Sequence, residues 1–234
     1  MNQRFHSLNE WLKSHKGERV AVLIAEALAP LIKSYRGERL LQLGIEEHQN
    51  WLAVSRIPKK LVLLPFTDNT QCSLVSSLYE MPIDEASIDV IFCPFNMELL
   101  HHDMSFLSEI DRILVPGGYV IFCGVNPFSF WGLPRLWQQA SQFPCWQSGS
   151  YGARKLSSAL LRFGYATESI TRFGYWPPCV KRDFYMRFYQ QLGKMLLPFP
   201  SGFYLLSAQK QVFSVIHPQW TKPPYIKSLG NAPV

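Results

Sequence analysis

Charge is scarce in this chain. Asp, Glu, Lys and Arg make up 17% of its 234 residues, against about a quarter in ordinary soluble domains, so a disordered polyelectrolyte is excluded. Cysteine is thin as well: the five cysteines, at 72, 93, 123, 145 and 179, are odd in number, form no CxxC and lie 21 or more residues apart. Zinc ribbons and disulfide frameworks need paired or close spacing, which leaves buried thiols in a reducing cytoplasm as the expectation. No apolar run is both long and unbroken. The stretch from Ile113 to Pro134 carries no charge, but Pro116, Gly117, Gly118, Asn126 and Pro127 interrupt it, so strand, loop and pocket are expected there rather than a membrane span. The opening MNQRFHSLNEWLKSHKGER has charges where a secretory leader needs an apolar stretch, and a cytoplasmic location is the expectation. There is no internal repeat, no low-complexity tract, no run of five basic residues and no RGG or RNP-type aromatic motif, which weakens a nucleic-acid reading.

What the chain does have is hydrophobic mass: 47% hydrophobic and 14% aromatic residues, with 17 prolines to punctuate loops. At this length one large α/β domain is the simplest reading. It divides into an N-terminal helical cap (1–34), a main domain (35–213) and an irregular C-terminal tail (214–234). The charge is unevenly spread: residues 1–153 hold 12 Lys/Arg against 15 Asp/Glu, a net of −3, while residues 154–234 hold 11 against 2, a net of +9. Such a basic final third suits an anionic substrate, an anionic membrane surface or RNA, or a solubilising face.

Ser7-Leu8-Asn9-Glu10 has the Ser-x-x-Glu form of a capping box, which predicts a first helix starting there and ending at Gly17. Val20, Leu23, Ile24, Ala27, Leu28, Leu31 and Tyr35 follow a 3.6 period, a second helix with Pro30 inside it. Short apolar runs at 39–43, 60–64, 74–78, 88–93 and 119–123 predict strands, with a short helix at 46–55 and another at 104–114 ending in the turn Pro116-Gly117-Gly118. Further on, helices at 155–163 and 184–195 alternate with strands at 166–172 and 203–210. Strands alternating with helices argue for a parallel, doubly wound sheet.

Residues 81 to 123 read MPIDEASIDVIFCPFNMELLHHDMSFLSEIDRILVPGGYVIFC. Met81-Pro82-Ile83, Ser87-Ile88-Asp89-Val90-Ile91, Glu98 to His102, Glu109-Ile110-Asp111-Arg112-Ile113-Leu114 and Pro116-Gly117-Gly118 follow one another in an order and spacing that resembles the second half of a class I S-adenosylmethionine-dependent methyltransferase of the type 11 kind. Over roughly residues 35 to 210 the resemblance implies a Rossmann-like, doubly wound, mainly parallel seven-stranded sheet with helices on both faces and an antiparallel last strand. It also implies S-adenosylmethionine as cofactor, held near Gly44, Glu46, Leu78, Tyr79, Pro94 and Phe95.

The family's first strand carries an acid and ends in a GxGxG loop that lets the cofactor lie against bare backbone. Here Gln42 stands at the acid's place and only Gly44 is kept, followed by Ile45, Glu46 and Glu47. The family's ribose-binding acid after the second strand is replaced by Leu64-Pro65-Phe66, with Asp68 the nearest carboxylate. Two readings stay open. Either the cofactor binds through an altered loop, with Glu46 or Glu47 near its sulfonium or ammonium, or the chain is a non-catalytic interaction protein that keeps the fold without the cofactor.

Methyl transfer from a sulfonium is an in-line displacement, so alignment does most of the work and a base is needed only for a protonated acceptor. His101 is the candidate base, against the plainer reading of a surface His pair with Asp103 capping the next helix. Metal binding by His101, His102 and Asp103 is not expected, because adjacent loop side chains seldom converge on one ion. Asn96, Asn126, Trp131, Arg135 and Trp176 are the candidate acceptor contacts. They come from an aromatic, nearly uncharged segment after the fifth strand and a Pro-aromatic cluster after the sixth, which either wall a small-molecule pocket or pack on the sheet.

Overall fold

The computed structural model describes residues 2–46, 51–65, 73–101, 103–132, 151–175 and 201–211. Seven strands form one sheet: β1 (Arg39–Leu43), β2 (Lys59–Leu64), β3 (Leu74–Val75), β4 (Ile88–Pro94), β5 (Leu114–Val125), β6 (Tyr165–Phe173) and β7 (Phe203–Lys210). Their order is β3-β2-β1-β4-β5-β7-β6. The first five are parallel to their neighbours, and β7 runs antiparallel to both β5 and β6. The expected sheet, with its antiparallel last strand, is therefore present.

The central strands β1 and β4 are buried along almost their whole length, as strands covered on both faces must be. Two aromatic contacts define the faces. Phe92 pairs in register with Ile121, and Cys93 with Phe122, so Phe92 and Phe122 point to opposite sides of the sheet. On the Phe92 side lies Trp51, edge-on at 5.6 Å, its indole N–H donating to Ala21 O in helix α2 (His15–Ser34) at 3.0 Å. On the Phe122 side lies Phe106, edge-on at 6.3 Å, from helix α4 (Ser105–Ile113). Two short helices complete the described set, α3 (Asn96–Leu99) after β4 and α5 (Ala153–Arg162) before β6.

The N-terminal helices differ from expectation. Helix α1 spans Asn2–Leu12, so Ser7 and Glu10 sit in mid-helix and cap nothing: Ser7 Oγ donates back to Gln3 O, and Glu10 pairs with Lys13 at 2.7 Å. The working cap is Ser14, whose hydroxyl accepts from Gly17 N at the head of α2. Gly17 thus lies inside the second helix instead of ending the first. β3 is shorter than expected, two residues in place of five, and 51–54 form turns rather than helix, with 47–50 outside the described residues. The turn Pro116-Gly117-Gly118 is absorbed into β5 as an irregularity, where pairing shifts between Ile88 and Val90. The helix expected at 184–195 and the C-terminal tail lie outside the described residues.

Among the described residues no helix is long and apolar enough to cross a membrane. Cys93 and Cys123 are buried free thiols, and burial pushes both well above the ordinary thiol range, which makes them poor nucleophiles. The other three cysteines lie outside the described residues.

Candidate functional site

In a doubly wound sheet, ligands bind beyond the carboxyl ends of the strands where the winding reverses. Here that point falls between β1 and β4. Gly44 follows β1 and Pro94-Phe95-Asn96 closes β4, so the sheet brings together four residues that the sequence separates by half a hundred positions. Gly44 has a φ of +84°, a conformation costly for any side chain bearing a Cβ. Phe95 is also left-handed, at φ +56° and ψ +14°, while fully buried. A bulky residue held there is strained, and such strain concentrates at functional positions.

The turn after β1 is built in a way that explains its unusual sequence. Gln42 is buried, and its side-chain N–H donates to Ile45 O at 2.7 Å and to Glu46 O at 3.4 Å. A carboxylate at 42 could only accept, so the amide is what braces this turn. Ile45 is absent from the positive-φ residues and sends its side chain into the core. Glu46 is buried at 3% exposure, a carboxylate at the rim of the turn.

Helix α1 lies directly on this turn. A Cβ placed on Gly44 would stand 2.4 Å from the Phe5 ring. The buried Asn9 carboxamide donates to Gly44 O at 3.2 Å and accepts from Glu46 N at 2.9 Å, while Lys13 Nζ reaches the Glu46 carboxylate at 3.4 Å. Sequence reading missed Phe5, Asn9 and Lys13 as site residues. The available signal was their spacing of four, which puts them on one helical face.

The candidate acceptor contacts are placed as follows. The Asn96 amide, oriented so that nitrogen donates, reaches Leu43 O at 3.3 Å and Pro94 O at 2.9 Å, tying the ends of β1 and β4. Asn126 N donates to Gly202 O, and its side-chain oxygen accepts from Phe128 N at 3.2 Å. Trp131 is buried in an aromatic group, edge-on to Trp11 of α1 at 6.3 Å and 5.1 Å from Phe203, which Phe95 and Phe173 also meet. His101 is exposed, with a φ of +54°. Leu78 is buried and Tyr79 partly so; burial, then neighbouring Asp103, raises the Tyr79 phenol. Asp103 accepts from Ser105 N at 2.8 Å at the head of α4. Arg135 and Trp176 lie outside the described residues, as do Glu47, Asp68 and His102. Among the described residues no cluster of His, Cys, Asp or Glu could hold a metal ion.

A fourth missed residue is Glu98 on α3. It is fully buried, Oε1 accepts from Val125 N at 2.9 Å, and Oε2 has no partner. Burial, opposed by the Val125 amide, pushes its carboxyl up to about 7. Gly124 allows this: a Cβ there would stand 2.4 Å from the Tyr204 hydroxyl and 2.8 Å from Glu98 Oε1.

Residues 32–122 match the family model described as "Methyltransferase domain". Solved structures of similar fold include a methyltransferase dependent on S-adenosylmethionine from Archaeoglobus fulgidus (TM-score 0.56, 16% identity, 82% of this chain and 94% of that one). Another comes from Thermotoga maritima (0.57, 14%, 88% and 100%). A third is geranyl diphosphate C-methyltransferase from Streptomyces coelicolor, in complex with magnesium, geranyl diphosphate and S-adenosylhomocysteine (0.53, 16%, 83% and 80%). No sequence among curated proteins matches significantly. Residues 32–122 thus match a methyltransferase domain, and the chain has the fold seen in S-adenosylmethionine-dependent methyltransferases.

Proposed function

We propose that the chain transfers a methyl group from S-adenosylmethionine to a small, apolar acceptor bearing negative charge. The observation that carries this is a buried carboxylate, Glu46, beside a left-handed glycine at the point where the sheet's winding reverses. Bound there, the donor supplies an electrophilic methyl. Gly44 would give it bare backbone, and Glu46 a counter-charge for its ammonium or sulfonium. Leu78, Tyr79, Pro94 and Phe95 would wall its apolar part. In the conformation described, however, the Phe5 ring fills the volume against Gly44, so the donor does not fit while α1 is docked.

On the acceptor side Asn96, Asn126, Trp131, Arg135 and Trp176 are assigned to binding, with His101 taking a proton from an acceptor that carries one. The net charge of +9 over residues 154–234 favours an anionic acceptor. The geranyl diphosphate of the Streptomyces coelicolor structure is an acceptor of that apolar, anionic type. The packed turn also favours a second reading, that of an interaction protein which keeps the scaffold and transfers nothing.

The test is transfer of labelled methyl from the donor into small molecules of a metabolite extract. Label in an extractable anionic product supports the proposal, and His101→Ala then lowers kcat by about 100-fold if the acceptor is protonated. A chain that neither binds the donor nor transfers label favours the interaction protein.

A further inference from the structure

Phe5, Asn9 and Lys13 recur every fourth residue along α1, one stripe of the helix. Each meets a different part of the turn: a flat ring on Gly44, a carboxamide bridging Gly44 O and Glu46 N, and an ammonium on the Glu46 carboxylate. Flat ring, paired hydrogen-bonding group and cation are also what S-adenosylmethionine presents, through its adenine, its amino-acid end and its charged sulfur and nitrogen. The geometry points to α1 as an intramolecular pseudo-ligand: it and the methyl donor compete for the Gly44–Glu46 turn, and the donor binds only when α1 has swung away. This rests on the proposed use of S-adenosylmethionine and adds its regulation.

The joint for such a movement is present. α1 ends at Leu12 and α2 starts at His15, with Ser14 accepting from Gly17 N and its hydroxyl donating to Trp11 O at 2.6 Å, so the two helices meet at a short turn about which α1 can pivot. Undocking exposes Phe5, Leu8, Trp11 and Leu12, all buried here. That cost makes the open state the minor one, and apparent donor affinity falls in proportion to its population. Whatever draws α1 away, a partner with an apolar groove or an acceptor that competes for Trp131, switches the site on.

The experiment is calorimetric titration of the full-length chain with S-adenosylmethionine, in wild type, Phe5→Ala, Lys13→Ala and Phe5→Ala combined with Glu46→Gln. Circular dichroism confirms that each is folded. Lys13 is 41% exposed, so its truncation is tolerated even if Phe5→Ala loosens the fold. The expected result is weak binding by wild type, about tenfold tighter binding by Phe5→Ala, a smaller gain by Lys13→Ala, and loss of the gain when Glu46 is neutralised. Equal affinity across the set overturns the pseudo-ligand and leaves the donor reading standing. Folded proteins that all fail to bind at millimolar donor overturn both.

Discussion

Glu98 shows how one buried group ties the site to pH. Its carboxyl sits at about 7 in the folded chain against 4.5 for a free glutamate. Between those values the folded state holds more protons than the unfolded one, so stability falls as pH rises from about 4.5 to 7 and is flat above. A shift of that size corresponds to roughly 3 kcal/mol. Glu98→Gln keeps an acceptor for Val125 N and removes the titration. Urea unfolding at pH 5 and pH 8 should show wild type losing stability between them and the variant losing less, by most of that amount. Equal losses in the two proteins would show that Glu98 is already charged at pH 5. The sequence marks Glu98 only as the first residue of a family element, because the residues that bury it, Gly124, Val125 and Tyr204, meet it only in the fold.

At the level of elements, the N-terminal helix pair sets what covers the turn after β1. Ser14 starts α2, and Ser14→Ala should cost about 1 kcal/mol by losing the bond to Gly17 N. Chemical denaturation measures this, whereas Ser7→Ala, on a mid-helical hydroxyl that caps nothing, should change little. The misreading has a physical cause. A Ser-x-x-Glu pattern caps a helix only if the chain before it is not helical, and Gln3 to His6 are helical here because the helix is held by tertiary contacts of Phe5, Leu8 and Leu12. Strands were far more legible. β1 and β7 have the expected bounds, since a short apolar run between turn residues is a local signal. Asn9 meeting Gly44 across 35 positions is not local, and no periodicity reports it.

For the whole molecule, the segment 81–123 sufficed to expect the mainly parallel seven-stranded sheet and its antiparallel last strand, because those motifs are turn and core positions of a single fold. The state of the donor site was not legible in the same way. Gln42 and Ile45 looked like losses from a glycine-rich loop. In three dimensions Gln42 braces the turn and Ile45 anchors it in the core, and the site is closed from outside by α1. On the proposed competition, docked helix and bound donor exclude one another. Amide hydrogen exchange over residues 5–13, measured with and without saturating S-adenosylmethionine, tests it most directly. Competition requires faster exchange in α1 and slower exchange at Gly44 to Glu46 when the donor is bound. Unchanged or slowed exchange in α1, with the donor demonstrably bound, would contradict it.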